Sequence, residues 1–288
     1  MPFREEVLLA RLRDFALAES SHLKSIDFAR NNFSATQEER QLAIASNYHQ
    51  LGYIHQLKED YRKSSEYYNC ALEIQVEYKD FWAQAKVYHH LGTLAYVQGE
   101  YDQARKYYQK SLDIKEGELN DLQGQACTLH QFGMLFQDQG DFEEAERYYQ
   151  KAIFIKRKFG DTTYVAETYG GLGTLYHDLE NYEKAREFYQ NSLDILIRYG
   201  DMPSQAFIYS QLALLAEDLN ELEQAKDHYL RSLQVCIDFG DQERADFVIC
   251  SLARLHQTTQ DARLLAAVAQ CLNTTPAKVQ QLFAAANP

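Results

Sequence analysis

Nothing in this sequence is arranged for cross-linking. Its five cysteines, Cys70, Cys127, Cys236, Cys250 and Cys271, lie far apart and no two share a Cys-x-x-Cys spacing. That excludes the usual zinc knuckle and the disulfide framework of small secreted domains, and it points to a reducing compartment. Proline is scarce, at four residues, and tryptophan occurs once. No apolar run approaches the roughly 18 residues that a membrane span needs. The first residues, Met1 to Glu6, lack the basic-then-apolar pattern of a secretory signal, so the sequence reads as cytoplasmic. Positive charge is in deficit: 29 Lys and Arg stand against 42 Asp and Glu, for a formal net charge of -13. That balance opposes general attraction to nucleic acid or to anionic lipid. Catalytic signatures are missing as well. There is no Gly-x-Gly-x-x-Gly, phosphate loop, Gly-x-Ser-x-Gly or His-Glu-x-x-His, so the reading is a non-enzyme with no cofactor and no bound metal.

What the chain has is self-similarity. A Leu-Gly type pair returns at Leu51-Gly52, Leu91-Gly92, Phe132-Gly133, Leu172-Gly173, Leu212-Ala213 and Leu252-Ala253, at steps of 40 or 41 residues. Thirteen residues after the first five leading positions comes a small residue: Ser64, Ala104, Ala145, Ala185 and Ala225. Four further on stands Tyr68, Tyr108, Tyr149, Tyr189 or Tyr229, and three beyond that Ala71, Ser111, Ala152, Ser192 or Ser232. Spacings of three and four place these residues on single faces of two helices per unit, with small residues where the backbones approach. Gly99-Glu100, Gly140-Asp141, Glu180-Asn181 and Asn220-Glu221 separate the two helices of a unit. Between units, Gly160-Asp161, Gly200-Asp201 and Gly240-Asp241 combine a left-handed helix end with an N-cap.

This order of Leu-Gly, small, aromatic and small resembles the tetratricopeptide repeat family, over residues 37–272. The long period is similar to the arrays of kinesin light chains, spindle-orientation scaffolds and bacterial sensor proteins. The resemblance implies an all-α, right-handed α-solenoid of helix-turn-helix repeats, folded as one elongated body. Residues 1–36 are expected to form a degenerate N-terminal helical pair, Phe3 to Ala18 and His22 to Asn31, acting as a cap. Thr36-x-x-Glu39 reads as a capping box, and residues 273–288 as a C-terminal capping helix opening at Pro276. The family's usual unit is shorter, and the extra residues are assigned to segments such as Gly160 to Val165 plus an added turn on each first helix. Trp82 is expected to lie between units and staple them together. Most of the twenty-one tyrosines are expected to be core.

In the family, first helices line a concave groove, and chaperone-binding members clamp a peptide carboxylate with Lys, Asn and Arg. That clamp is missing here. The groove positions carry instead His49, Gln50 and Tyr53, then Lys86, His89, His90 and Thr93, then His130, Gln131 and Met134, with Tyr96 flanking them and Asp138 further along. They continue with Thr174, His177 and Asp178, and with Gln211 and Asp218. His49, His89 and His130 form a row at one repeat position, as solvated groove residues or as contacts to a protein or peptide segment. Metal is disfavoured because successive first helices stand roughly 8–10 Å apart, whereas zinc ligands lie about 2 Å from the ion. Asp138, Asp178 and Asp218, with Glu167 and Glu217 nearby, are expected to make one end acidic, either as helix ends in water or as a reader of basic segments. The function implied is a protein-interaction scaffold or adaptor. The alternative is a peptide-responsive sensor that controls an effector protein on a separate chain.

Overall fold

The computed structural model describes the backbone of residues 2–32 and 34–286, and side chains from residue 14 onward within them. It is helical from end to end of that range. The first helix, α1, is Pro2–Asn31; α2 and α3 are Gln37–Leu57 and Tyr61–Glu77; α4 and α5 are Phe81–Val97 and Tyr101–Gly117; α6 is Leu122–Asp138. Then come α7 (Phe142–Lys158), α8 (Thr162–Asp178), α9 (Tyr182–Tyr199), α10 (Met202–Asp218) and α11 (Leu222–Phe239). The chain closes with α12 (Gln242–Thr259), α13 (Ala262–Cys271) and α14 (Pro276–Ala286). The chain divides into two compact units, residues 1–139 and 140–288.

Three of the helix pairs, α2–α3, α4–α5 and α8–α9, are held by one repeated contact. The Tyr68 ring lies against Gly52, Tyr108 against Gly92, and Tyr189 against Gly173; a Cβ on any of these glycines would sit 2.4–2.5 Å from the ring. These tyrosines are fully buried, so the missing glycine side chain is the space the aromatic ring fills. The small residues beside them seal the backbone. Ser64 donates to the Gly52 carbonyl at 2.8 Å, Ser111 to Ala85 at 2.7 Å, Ser192 to Ala166 at 2.7 Å, and Ser232 to Ala206 at 2.8 Å. Glutamines seven residues before the Leu-Gly pair tie successive pairs together. Gln84 donates to the Gln75 carbonyl at 2.8 Å and Gln205 to Leu196 at 3.1 Å.

The linkers follow the expected chemistry. Gly160, Gly200 and Gly240 hold φ near +70°, and Asp161, Asp201 and Asp241 each accept a backbone N–H of the following helix. Glu59, Glu180 and Asn220 take the same left-handed conformation without being glycine. The capping box at Thr36 and Glu39 is formed in both directions.

Three expectations fail. The N-terminal segment is one continuous helix rather than a pair. Ala18 to His22 is bridged by Glu19, Ser20 and Ser21, with no glycine or proline to break the ladder. This helix docks on α2 through the fully buried His55, whose Nε2 lies 3.4 Å from Glu19 and whose Nδ1 lies 3.4 Å from Asp60. Lys58 pairs with Glu19 at 3.0 Å, and His22 donates to Asn47 at 2.9 Å. Next, the extra residues do not form a loop. Thr162 to Val165 already belong to α8, and every helix from α3 to α12 runs for 17 or 18 residues. Finally, Trp82 sits inside the first turn of α4 and is 57% exposed, with the Lys86 ammonium 3.3 Å above its ring. Its ring partner is thus one turn on in the same helix rather than in a neighbouring repeat.

Candidate functional site

In the first unit the expected residues gather on the faces of α2, α4 and α6, but in a different order from the row read off the repeat. His49 does not meet its equivalent His89. It meets His90, at 5.0 Å between ring centroids. Adjacent residues on a helix point about 100° apart, so His90 turns toward α2 and His89 toward α6. The His90 ring lies nearly parallel to Tyr68, at 5.5 Å and 12°, and 5.9 Å from Tyr53. His89 packs on Tyr108 at 5.8 Å and faces Thr128, whose hydroxyl is 3.5 Å from His89 Nδ1.

These imidazoles are neutral at physiological pH. Burial pushes His89 down to about 3, helped by the Lys115 ammonium. Burial, then His49 and Lys86, pushes His90 down to about 4. Burial alone takes His130 to about 4 and, with Lys86, lowers His49. A neutral His89 can accept a hydrogen bond at Nδ1, and the side chains behind it supply the donor. The Lys115 ammonium donates to Thr128 Oγ1 at 2.8 Å, which leaves the Thr128 hydroxyl hydrogen for His89. Lys115 is only 6% exposed, and burial lowers it to about 8. Neither Lys115 nor Thr128 was legible as a site residue, because the family pattern describes the groove face and these two lie beneath it.

The floor is rigid where tyrosine hydroxyls meet it. The Tyr108 hydroxyl lies 3.4 Å from Thr93 Oγ1 and 3.3 Å from Gln131 Oε1. In the second unit, Tyr189 repeats this with Thr174 at 3.2 Å and Gln211 at 3.4 Å. Tyr68 donates instead to Gln56, at 2.8 Å. A second polar tie also recurs. Tyr96 donates to Asp138 at 2.6 Å, and at the equivalent place His177 Nε2 meets Asp218 at 2.6 Å. Burial and the Asp138 bond together raise the Tyr96 phenol.

The acidic row is therefore engaged rather than presented as a set of open carboxylates. Asp138 and Asp218 are tied as above, and Glu217 accepts from Tyr229 at 2.6 Å and from Arg254 at 2.8 Å. Asp178 and Glu167 keep much of their surface in solvent, but neighbouring atoms crowd the Glu167 carboxyl, and this desolvation, with Asp201 and Asp161, raises it. Of the remaining residues, Gln50, Tyr53 and Lys86 are exposed, while Thr93, His130, Gln131, Met134, Thr174, His177 and Gln211 are half-buried. Among the described residues, no three His, Cys, Asp or Glu side chains are grouped to hold a metal ion.

A tetratricopeptide repeat model matches residues 83–158 and 164–238, and another covers residues 45–75. Together these take in more than half of the chain, which therefore belongs to the tetratricopeptide repeat family. The family is generally non-catalytic, and membership assigns the chain a part in protein–protein interaction or regulation. Its fold is similar to that of BtubC (BKLC) from P. vanneervenii, at 22% identity and a TM-score of 0.65, over 78% of this chain and 92% of that one. It is also similar to aspartyl phosphate phosphatase F from Bacillus subtilis, at 16% identity and 0.62, over 96% and 73% of the two chains. The apo form of RapI matches at 17% identity and 0.62, over 97% and 93%. At these identities the likeness is one of fold. None of the curated proteins matches the sequence. No helix among the described residues is long and apolar enough to cross a membrane.

Proposed function

We propose that this protein is a scaffold or adaptor that holds a peptide or protein segment on the surface formed by its first helices. The observation that carries this is the construction of the α2–α4 face. Exposed Gln50, Tyr53 and Lys86 stand on a floor of neutral imidazoles and hydrogen-bonded phenols that is packed in place before any partner arrives. A preorganised floor lowers the ordering cost of binding. Uncharged rings beside one lysine suit a segment recognised through stacking and hydrogen bonds. Residues 1–36 and 273–288 act in this reading as end caps of the array. The five free cysteines support work in a reducing compartment such as the cytoplasm, and the net charge of -13 favours protein over nucleic acid or membrane as partner.

The test is affinity capture from native lysate with wild type and with a Gln50→Ala, Tyr53→Ala, Lys86→Ala variant of verified fold. A dominant protein captured by the wild type and lost with the variant supports the reading. Equal capture by both removes the interface from this face.

A further inference from the structure

The second unit carries a feature that the repeat does not call for. Between α7 and α9 lies a groove of about 580 Å³, floored by Ile153, Tyr169 and Leu172 and walled by Phe188. At its rim stands Phe154, 72% exposed. The equivalent position in the other repeats holds Glu73, Asp113, Asp194 and Gln234. An exposed phenylalanine where the repeat otherwise keeps a polar side chain has no role in the repeat's own packing. The next turn departs in the same way. Arg157 replaces Val76, Glu116, Ile197 and Ile237, and Lys158 replaces Glu77, Gly117, Arg198 and Asp238. Both basic residues line the groove and no carboxylate does. Arg157 is held over the floor by its hydrogen bond to the Tyr169 hydroxyl and by stacking on that ring.

We propose that this groove is a second docking site, distinct from the α2–α4 face, for a short acidic segment of a partner protein carrying one bulky apolar side chain. The apolar side chain enters between Phe154 and Phe188 and covers Ile153 and Leu172. The flanking carboxylates meet Arg157 and Lys158, a basic rim on a chain with a net charge of -13. Charge complementarity of this kind selects acidic segments and weakens with salt.

The test uses a displayed library of random short peptides, selected on the immobilised full chain and then measured against three variants. Phe154→Glu and the double variant Arg157→Glu, Lys158→Glu alter the rim at exposed positions, and the fold of each is verified by circular dichroism before binding is measured. Tyr53→Ala alters only the first-helix face. The expected result is enrichment of peptides with acidic residues flanking one bulky apolar residue. Their affinity should fall about tenfold or more with either rim variant, fall with added salt, and be unmoved by Tyr53→Ala. Failure to enrich such peptides, or equal binding to wild type and rim variants, overturns the proposal. So does a self-associating wild type that Phe154→Glu converts to monomer, because the face would then belong to a second copy of this chain.

Discussion

The ring of Tyr108 occupies the place where a side chain on Gly92 would have to be, with Cδ1 only 2.4 Å from an ideal Cβ. Tyr108 is fully buried and its hydroxyl is anchored at Thr93 and Gln131, so the ring has nowhere to go. Gly92→Ala should destabilise the fold by about 1–3 kcal/mol, the usual cost of overpacking, seen as a lower urea midpoint with an unchanged slope. The same change at exposed Gly117, whose Cβ meets nothing within 4 Å, should be neutral or stabilising.

Lys115 and Lys156 occupy the same repeat position and are both 6% exposed. Lys156 bonds Asp161 at 2.8 Å, five residues on. Lys115 has Asp121 six residues on, and the extra residue in that linker separates the pair. Among the described residues it makes no ion pair, and Thr128 is its hydrogen-bond partner. Lys115→Met should therefore raise stability at neutral pH, by about 1–4 kcal/mol if it behaves like other buried ionic groups replaced by apolar ones. Lys156→Met should gain less or lose. Paired denaturation curves decide this.

Acid should weaken the first unit through its imidazoles. His49, His89, His90 and His130 are all lowered from 6.5 by burial, the last three to about 3 or 4. Between those values and 6.5 the unfolded chain binds more protons than the folded one, so stability falls as pH drops below about 6.5. Lys115, lowered to about 8, has the same sign in a higher window, and stability contributed there rises from about pH 8 toward 10.5. Midpoints measured from pH 7 to 5 should fall for the wild type and fall less for His90→Gln. An unchanged slope in the variant would show that His90 is charged or exposed.

Glu180 holds φ at +56° in the α8–α9 turn, where the turns before α5 and α7 place Gly99 and Gly140. Left-handed backbone costs a side-chain-bearing residue roughly 1–2 kcal/mol. Glycine loses more freedom on folding, so part of that is offset. Glu180→Gly should still raise the thermal midpoint, with Gly140→Glu lowering it as the converse.

The repeat frame was legible because it rests on spacing alone. Gly52, Gly92 and Gly173, their tyrosines and the Asp N-caps all stand where the period puts them. What spacing could not supply was direction. His89 and His130 share a repeat position with His49, yet His90 is the neighbour His49 touches, because α4 is rotated so that its second histidine faces α2. The ties of Asp138 to Tyr96 and of Asp218 to His177 join helices about forty residues apart. No local pattern announces them, and they turn a row of expected surface carboxylates into structural bonds. Lys115 was hidden for another reason: a lysine in a helix pattern reads as solvent-facing until its neighbours are seen to close over it.

The Tyr189 to Gln211 bond has a consequence for how such a chain can grow. Its donor and acceptor come from successive repeats, and the repeat built from α10 and α11 carries both kinds of group itself, Gln211 on one helix and Tyr229 on the other. A tandem duplication of residues 201–240 would bring Gln211 of the new copy toward Tyr229 of the old, so the joint between the twins comes ready-made. Lengthening by whole repeats is then a small genetic step, whereas an insertion of one residue, as in the linker before Asp121, leaves a mark at Lys115, which bonds Thr128 where Lys156 bonds an aspartate.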